Sequence, residues 1–388
     1  MRNFVSDIAA SIPPSGIRKF FDLVLTMDSD EVISLGVGEP DFDTPYAISK
    51  AAITSIEKGM TMYTSNRGLI ELCSLLSADM KTRYGISYNP SSEIIFTSGV
   101  SEAFDVAVRT VVNPGDEVLV VDPCFVSYTP EVLMAGGRPV SLPCSAEDKF
   151  KITPDALMET ITPKSKVLIM NFPNNPTGGI MTRDDLKAIA DIVVDHDLLI
   201  ISDEVYAELT YEGKHTATAS IDSLYDRTIT LNGFSKAYAM TGWRLGYFCA
   251  PKEICNAALK IHQYVMMSAP TASQFAAIEA LKSGEEAKNA MVAEYRIRRN
   301  LFVKGLNDIG LSCHMPQGAF YAFPSIESTG LSDEEFAERL LKEQQVAVVP
   351  GSAFGPSGKG HVRTCYAVER EKLMTAIKRI GAFVASLK

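Results

Sequence analysis

Three short runs in the middle of the 388-residue chain hold side chains suited to covalent and acid–base chemistry. Residues 171–178 read Asn-Phe-Pro-Asn-Asn-Pro-Thr-Gly, residues 202–206 read Ser-Asp-Glu-Val-Tyr, and residues 231–236 read Leu-Asn-Gly-Phe-Ser-Lys. Arg244 follows the third run. Lysine, asparagine, aspartate, tyrosine and arginine in these runs are suited to hold pyridoxal phosphate, with each side chain at a different part of the cofactor.

Asp203 and Lys236 are the candidates for the chemistry itself. Asp203 follows the apolar run 198–201, which predicts a place at the carboxyl end of a buried strand, where ligands bind in open α/β sheets. Alone, Asp203 would be interpreted as a helix cap or part of a structural ion pair. A buried carboxylate is costly without a cationic partner, and a protonated pyridine nitrogen is the more specific candidate for that partner. Lys236 follows the strand predicted at Thr228–Leu231. A lone lysine is usually a surface charge, whereas in this setting it is suited to form a Schiff base and then to move protons.

The cofactor ring has further candidate partners. If a helix begins at Asp203, Tyr206 lies one turn beyond it; Asn175 precedes Pro176. Alone, the first is typical of a packed core phenol and the second of a turn. Together they are suited to hydrogen-bond the 3′-oxygen of the cofactor, which would tune the proton affinity of the neighbouring imine. Phe125 is by default a core residue, and it is also suited to stack on the pyridine face.

Two sets of residues are suited to bind anions. Residues 97–103, Thr-Ser-Gly-Val-Ser-Glu-Ala, follow a predicted strand and open a helix, whose N-terminal N–H groups favour an anion, although many such turns bind nothing. Ser235 and Arg244 are also suited to bind it. Arg363, inside a predicted strand, is either a surface residue or a bidentate clamp on a substrate α-carboxylate, to which Gly38 would add a backbone N–H.

Composition narrows the class of protein. Hydrophobic residues make up 46% of the chain and charged residues 22%, as in a globular enzyme, and no apolar run approaches the roughly 20 residues of a membrane span. The net charge of −10 argues against a nucleic-acid partner. The seven cysteines form no Cys-x-x-Cys pair, so we expect buried free thiols in a reducing cytoplasm. With no His-Glu-x-x-His motif, no metal site is expected.

The order of apolar runs predicts the fold class. Strands are predicted, for the most part from near-continuous apolar runs, at Glu93–Thr97, Glu117–Val121, Lys166–Met170, Leu198–Ser202, Thr228–Leu231 and Leu245–Cys249. Helical patterns such as Arg183–Asp195 lie between some of them. This alternation predicts an α/β fold with a mostly parallel sheet.

The end of the chain has a different pattern. A long charged helix is predicted near Glu285–Asp308, followed by short strands around Ala319–Pro324, Val346–Val349 and His361–Ala367 with helices around Ser332–Glu343 and Glu369–Ser386 between and after them. We therefore predict a large cofactor-binding domain at residues 46–284. A smaller α+β domain is predicted from residues 1–45 together with 285–388, with the site between the two lobes.

Taken together, these runs resemble the class I and II aminotransferases of fold type I, the aspartate aminotransferase superfamily. The resemblance extends from residues 36–45 to Arg363, and the ordered combination of Asn-Pro-Thr-Gly, Asp-Glu-Val-Tyr and Phe-Ser-Lys is very specific to it. Within the superfamily the chain is most similar to prokaryotic aromatic and aspartate aminotransferases, through runs that include 15–19, 125–128 and 350–355. The resemblance implies a large domain with a mostly parallel seven-stranded sheet and a smaller α+β domain.

For the ring of pyridoxal phosphate, the resemblance implies these roles. Lys236 is the lysine that forms the Schiff base and shuttles the proton. Asp203 pairs with the pyridine nitrogen, and Phe125 stacks on the ring. Tyr206 and Asn175 hold the 3′-oxygen. Many relatives have tyrosine or tryptophan at the position of Phe125, so this chain keeps the stacking and loses a polar group.

For the phosphate and the substrate, the resemblance implies a second group of residues. The side chains and N–H groups around the phosphate are Gly99, Val100, Ser101, Ser235, Arg244 and Tyr63 of the partner subunit. Arg363, Gly38 and Asn175 hold the substrate carboxylate. Where many relatives have a serine this chain has Gly233, so one phosphate hydroxyl is expected to be missing. The role of Tyr63 implies a homodimer with shared active sites.

We therefore predict a cytoplasmic aminotransferase that works by two half-reactions, with an L-amino acid and a 2-oxo acid as its small-molecule substrates. Two alternatives stay open on the same cofactor frame: an aspartate aminotransferase and a carbon–sulfur β-lyase. A third alternative is a transcriptional regulator that uses this fold as a sensor. Such regulators usually carry a winged-helix DNA-binding domain before the fold, whereas here the motifs of the fold begin by Ser15. The net charge of −10 also disfavours binding to DNA.

The preferred amino donor depends on the side-chain pocket. Arg363 anchors any α-carboxylate, and we find no arginine to assign to a second, distal carboxylate. Phe125, Tyr63 and Ile17 are suited to line an apolar pocket, in which an aromatic ring would bury a large area. An aromatic amino acid is therefore the predicted donor, with 2-oxoglutarate as the predicted acceptor.

Overall fold

The computed structural model of the chain describes residues 2, 4–14, 16–17 and 31–387. Within the run 15–19, which carries part of the resemblance, Ser15, Arg18 and Lys19 lie outside the described residues.

Short and long strands alternate with helices along the described chain. The strands are β1 (Ile33–Ser34), β2 (Ile94–Thr97), β3 (Glu117–Asp122), β4 (Arg138–Pro143), β5 (Ser165–Asn171), β6 (Leu199–Asp203), β7 (Thr228–Gly233), β8 (Gly246–Cys249), β9 (Tyr321–Ala322), β10 (Val346–Ala347), β11 (Val349–Pro350) and β12 (Val362–Cys365). The α-helices are α1 (Asp7–Ser11), α2 (Tyr46–Glu57), α3 (Ile70–Tyr84), α4 (Gly99–Val111), α5 (Tyr128–Met134), α6 (Pro154–Thr160), α7 (Arg183–Asp195), α8 (Lys252–Val265), α9 (Thr271–Ser283), α10 (Glu285–Asp308), α11 (Asp333–Gln344) and α12 (Arg370–Ser386).

Seven strands form the main sheet, in the order β2-β8-β7-β6-β5-β3-β4. The neighbours from β4 to β7 pair in parallel, whereas β8 is antiparallel to both β7 and β2. The inner strands are buried on both faces, which is why their sequences are continuous apolar runs rather than alternating ones. The α/β class and the mostly parallel seven-stranded sheet are confirmed.

The predicted strands of this sheet are each found within a residue or two of their predicted ends. The seventh strand, Arg138–Pro143, was missed because it contains two prolines and mostly half-exposed or exposed residues. It lies at the edge of the sheet, the position where a strand tolerates proline. The helix Arg183–Asp195 is found as predicted, and it starts with a capping box in which Thr182 and Asp185 exchange hydrogen bonds.

The C-terminal part of the chain packs around a different hydrophobic cluster. Strands β11, β12 and β9 form a three-stranded antiparallel sheet, and β1 pairs in parallel with β10. The cluster draws mainly on residues from 291 to 384, and it also takes in Leu35 and Tyr206. Leu35 thereby ties the segment before residue 45 to the C-terminal part. We keep the division at residues 46–284 and 1–45 plus 285–388 as a proposal.

Two further features concern the whole described chain. All seven cysteines are buried free thiols, as the sequence predicted. No helix in residues 2, 4–14, 16–17 and 31–387 has both the length and the apolar character that crossing a membrane requires.

Candidate active site

A cavity of about 390 Å³ opens at the carboxyl ends of the central strands. Asn171 ends β5 and Asp203 ends β6, and the two residues are paired in register across the sheet. Most of the side chains predicted for the site line this cavity: Gly38, Val100, Ser101, Phe125, Asn175, Asp203, Tyr206, Ser235, Lys236, Arg244 and Arg363. Residues up to 325 positions apart in sequence, Gly38 and Arg363, therefore meet at one edge of the sheet.

Lys236 lies just after β7 and points into the cavity. Its Nζ donates a hydrogen bond to the carbonyl of Gly38 at 2.6 Å and lies 5.9 Å from the ring centre of Tyr206. Burial lowers the pKa of the Lys236 ammonium to about 8, because an apolar environment disfavours the charged form. A lysine with a lowered pKa is a better nucleophile and proton acceptor near neutral pH than a surface lysine.

Asp203 is a buried carboxylate with only 6% of its surface exposed. Its Oδ2 accepts a hydrogen bond from the Tyr128 hydroxyl at 2.7 Å, and its Oδ1 accepts one from the Val205 backbone N–H at 3.1 Å. Both donors are neutral. Burial raises the pKa of the Asp203 carboxyl to about 6, against the opposing effect of these hydrogen bonds. The carboxylate therefore lacks a direct cationic partner here, and a protonated ring nitrogen fits that deficit.

Tyr206 and Asn175 are both buried, and each is held by a second site residue. The Tyr206 hydroxyl hydrogen-bonds that of Tyr321 at 2.8 Å. Asn175 accepts a hydrogen bond from Nη1 of Arg363 at 3.0 Å and donates its backbone N–H to Asn171 at 2.9 Å. Asn171 in turn donates to the Asp203 carbonyl at 2.9 Å, so it links the ends of β5 and β6.

Arg363 is buried in β12, with 2% of its surface exposed, so it is not a surface strand residue. Its guanidinium lies 4.6 Å from the ring centre of Tyr321 and 4.8 Å from that of Phe354. It donates to the Gly36 carbonyl and to Asn175, while its Nε is buried with no hydrogen-bond partner among the described residues. A buried arginine with an unused N–H and only neutral partners is suited to bind a carboxylate.

The N-terminus of α4 and Arg244 form the anion-binding end of the cavity. Gly99, the first residue of α4, has φ +76°, and a Cβ added there would lie 2.4 Å from Nη2 of Arg244. The guanidinium therefore lies against the start of the helix, where partial positive charge accumulates. Its Nη1 donates to the Thr241 carbonyl at 3.0 Å, a neutral partner. This arrangement of like charges favours an anion such as a phosphate.

The packing around Gly233 explains the absence of a serine there. A Cβ added at Gly233 would lie 2.9 Å from the Leu245 carbonyl oxygen and 3.0 Å from Cα of Gly246 and Cγ2 of Val100. Real Cβ atoms rarely tolerate such contacts, so this chain accommodates glycine and not serine without a shift of neighbouring backbone. The missing hydroxyl is a consequence of local packing.

Two predicted residues do not line the cavity. Gly99 is not among the residues that line the cavity, and it lies against Arg244. Tyr63 is 81% exposed on the outer surface, next to Met62, which is 80% exposed. In a single chain, Tyr63 is therefore not part of the site.

Sequence reasoning missed several residues that the fold brings to the cavity, among them Tyr128, Asn171 and Tyr321. Tyr128 lies only three residues after Phe125, in a run in which Phe125 was the only residue predicted to belong to the site. Its partner Asp203 is 75 positions away, and no local pattern announces that contact. Asn171 directly follows the predicted strand Lys166–Met170, as Asp203 follows the predicted strand Leu198–Ser202, and that shared position was the available signal for it.

Comparison with known proteins adds independent information. Residues 30–380 match the family described as "Aminotransferase class I and II". Over 384 residues the chain is 50% identical to a Bacillus subtilis (strain 168) protein, YugH, whose name gives aminotransferase and no substrate, with 99% of each chain covered. It is also 45% identical over 379 residues to an aspartate aminotransferase of Pyrococcus abyssi, with 97% of each covered.

A solved structure is similar throughout. The crystal structure of an aromatic aminotransferase from Pyrococcus horikoshii OT3 matches with a TM-score of 0.90 at 45% identity, covering 95% of this chain and 99% of that one. An aspartate-specific name and an aromatic-specific name thus occur at the same identity, so overall similarity does not select the amino donor.

Proposed function

Because the chain belongs to the class I and II aminotransferases, whose enzymes use pyridoxal phosphate, we propose that it transfers the amino group of an aromatic L-amino acid to 2-oxoglutarate. The observation that carries the choice of donor is the composition of the cavity wall. In the described part of the chain its cationic side chains are Lys236, Arg244 and Arg363. Each of these has a proposed task, and none is left for a second carboxylate on the donor. The distal carboxylate of 2-oxoglutarate would then be held by polar or water-mediated contacts rather than by an arginine or lysine of the wall.

Pyridoxal phosphate, when bound, supplies an electrophilic carbonyl and a ring that withdraws electrons from the substrate's α-carbon. The residues described above fit its three charged ends. We assign the protonated ring nitrogen to Asp203, and the 3′-oxygen to Tyr206 and Asn175, with Phe125 against the ring face. We assign the phosphate to the residues at the start of α4 and after β7: Gly99, Val100, Ser101, Ser235 and Arg244.

Lys236 is the proposed covalent and proton-transferring residue. The carbonyl of Gly38 holds its Nζ at 2.6 Å, and burial lowers the pKa of its ammonium to about 8. Near neutral pH a useful fraction of the amine is therefore neutral, and it can accept a proton and return it. Arg363 and the Gly38 N–H would fix the substrate carboxylate, which orients the α-carbon toward Lys236.

The wall of the cavity supports an aromatic donor. Apolar and aromatic side chains contribute much of it: Ile17, Val37, Phe104, Phe125 and Val205. A phenyl or phenol ring placed among them would lose contact with water on both faces, and burial of such a side chain contributes about 1.5–3 kcal/mol. Aspartate is the second candidate, because a relative at 45% identity carries that name.

We expect kcat/KM for phenylalanine to exceed that for aspartate by about tenfold or more, with 2-oxoglutarate as acceptor for both. The ratio is measured on one preparation of holoenzyme with purified donors. Since both donors share the α-carboxylate and the cofactor, the ratio isolates the contribution of the side chain. A clear preference for aspartate would show that the distal carboxylate has a partner in this chain and would reject the aromatic proposal.

Arg244→Ala is expected to weaken the affinity for pyridoxal phosphate by about tenfold to a hundredfold, because the guanidinium is the cation beside the start of α4. The free energy of unfolding of the apoenzyme should change little, since Arg244 is exposed in the single chain. Titration of apoenzyme with the cofactor measures the first quantity and denaturant unfolding the second. Arg339→Ala, which replaces a partly exposed arginine of α11 that does not line the cavity, is the control. Equal cofactor affinities in the two variants would remove Arg244 from the phosphate site.

We propose a homodimer with shared active sites, in which Tyr63 of the partner subunit reaches the phosphate. Support comes from an exposed apolar surface that spans two segments of the chain. Met62 and Tyr63 are more than three-quarters exposed, and so is Tyr264, at 94%. Hydrogen bonds hold the two segments side by side: Thr271 donates to the Met62 carbonyl at 2.8 Å, and Gln263 to Asn66 at 2.9 Å.

Sedimentation at assay concentrations is expected to give twice the chain mass, because a large exposed apolar surface favours association. Tyr63→Ala should reduce cofactor affinity, although Tyr63 does not line the cavity of its own chain. Tyr46→Ala, also highly exposed and outside the proposed contact with the phosphate, serves as its control. A monomer with full activity at the same concentration would contradict the shared site.

We also propose a reducing compartment, the cytoplasm, for this enzyme. The seven buried free thiols support it, since an oxidising compartment favours disulfides.

A further inference from the structure

Tyr128 makes a contact that none of the roles above includes. It is the first residue of α5 and only 2% exposed, and its hydroxyl donates to Oδ2 of Asp203 at 2.7 Å. The ring is fixed by Phe104, whose centre is 4.6 Å away, and by Phe125, 5.8 Å away and edge-on. Since the ring cannot move freely, the hydroxyl is held in one place relative to the carboxylate.

The two hydrogen bonds at Asp203 fix both of its oxygens. Oδ2 accepts from Tyr128, and Oδ1 accepts from the Val205 N–H at 3.1 Å. The carboxylate plane therefore has one orientation, and each oxygen keeps a further lone pair that can face the cavity. Because an ionised carboxylate accepts at both oxygens, the pair of donors favours the ionised form.

Charged and titratable groups from several elements act on Asp203. Burial and the neighbouring Glu204 raise the pKa of its carboxyl, whereas Tyr128, the Val205 N–H and Lys236 lower it. The groups facing it are Tyr128 and Glu131 from α5, Glu204 and Tyr206 after β6, and Lys236 after β7. Of the interactions that favour the charged carboxylate, the Tyr128 hydrogen bond is the largest.

Tyr128 itself stays a donor throughout the working range of the enzyme. Burial, and then the charge of Asp203, raise the pKa of the Tyr128 phenol well above its ordinary value. The phenol therefore keeps its proton at any pH where the protein is folded and active, and it cannot replace Asp203 as the anionic partner of the cofactor.

We propose that Tyr128 is a positioning residue that keeps Asp203 ionised and aimed at the ring nitrogen of the cofactor. This inference rests on the role proposed for Asp203. Tyr128 would prepare the Asp203 carboxylate before the cofactor binds. This role needs the hydrogen bond to Asp203 and no direct contact between Tyr128 and the reacting atoms.

The test compares Tyr128→Phe with Tyr88→Phe. Tyr88 is also buried, and its hydroxyl forms a hydrogen bond with the neutral hydroxyl of Thr230 at 3.1 Å. Tyr88→Phe therefore removes a buried tyrosine hydrogen bond that involves no carboxylate. Apoenzymes are titrated with pyridoxal phosphate from pH 5.5 to pH 9, and kcat/KM is measured over the same range. In Tyr128→Phe, the acid-side midpoints of the pH profiles of cofactor affinity and of kcat/KM are both expected to move to higher pH by about one unit. In Tyr88→Phe, they should remain where they are in the wild type.

The dissociation constant at pH 5.5, relative to that at pH 8, should therefore rise about fivefold or more in Tyr128→Phe alone. Ionisation of the cofactor's own phosphate affects all variants equally and cancels in this comparison. Acid-side midpoints that do not move in Tyr128→Phe would overturn the proposal.

Asp203→Asn, measured in parallel, separates the two inferences. If it binds the cofactor weakly while Tyr128→Phe behaves as Tyr88→Phe does, only the role of Tyr128 is wrong. If Asp203→Asn binds the cofactor as tightly as the wild type, the role of Asp203 is wrong and that of Tyr128 falls with it.

Discussion

Replacement of Lys236 by alanine is expected to lower kcat for transamination by about 10⁴-fold, because the role we propose for Lys236 gives one side chain the tasks of attaching the cofactor and moving the proton. The structure gives the physical basis. The Nζ of Lys236 is held by the Gly38 carbonyl, burial lowers its pKa to about 8, and the Tyr206 ring lies beside it. The holoenzyme's visible absorbance band, which should shift when an amino acid is added to the wild type, should not shift in the variant.

Single-turnover kinetics with phenylalanine measure the rate directly, free of product release. Lys187→Ala is a suitable control, since Lys187 is an exposed lysine of α7, remote from the cavity. It should retain wild-type kinetics. A rate near that of the wild type in Lys236→Ala would assign the chemistry to another residue.

Replacement of Asp203 by asparagine is expected to change stability and function in opposite directions. Burial raises the pKa of Asp203 from its ordinary value of 3.8 to about 6, so the folded apoenzyme favours the protonated carboxyl. The stabilisation from this group is fully present below pH 3.8 and is lost as the pH rises through 6. At pH 8 the ionised group costs the apoenzyme about 3 kcal/mol.

Asparagine cannot ionise, so the apoenzyme of Asp203→Asn should be more stable than the wild type at pH 8 by up to about 3 kcal/mol, and this gain should shrink toward pH 5. Cofactor affinity and kcat should both fall, because the ring nitrogen loses its anionic partner. Denaturant unfolding of apoenzyme at the two pH values measures the first effect. Asp333→Asn removes a buried carboxylate that accepts the Ser352 N–H outside the cavity, and it should give no such gain. A loss of stability in Asp203→Asn that is the same at pH 5 and pH 8 would contradict this account.

Both predictions depend on the same physical feature of the site. Lys236 and Asp203 are both buried, and burial shifts the pKa of each group toward its neutral form, while a hydrogen bond with a neutral group holds each side chain in place. Such groups reduce stability in the apoenzyme, and a bound cofactor with complementary charges would offset that cost. The site is therefore arranged for a ligand that carries a cationic ring and an anionic end.

The sequence predicted the part of the fold that depends on local pattern. Continuous apolar runs such as 198–201 predicted buried strands, and the helical pattern at Arg183–Asp195 predicted the helix between two of them. The edge strand at Arg138–Pro143 escaped because its burial is partial and its prolines are typical of a turn. A strand at the edge of a sheet needs neither full burial nor a backbone N–H at every position. A single sequence does not reveal which strand will occupy the edge.

The candidate site divides in the same way. Asp203, Lys236 and Asn175 were predicted as site residues from the three runs taken together, and all three line the cavity. Tyr321 was not found, because its hydroxyl meets Tyr206 across 115 positions and its ring supports Arg363 from a different strand. The sequence also left undecided whether Arg363 is exposed or buried, and the position of β12 beside the cavity shows that it is buried. Contacts of this kind depend on how the C-terminal part packs against the main sheet, which no local pattern encodes.

The most direct test of the central claim is to locate the covalent attachment of the cofactor. The holoenzyme is reduced with borohydride, digested and analysed by peptide mass spectrometry. Lys236 is expected to carry the reduced cofactor, about one per chain, and addition of phenylalanine before reduction should remove that label. A label on another lysine, or no label on a preparation that is active, would contradict the account.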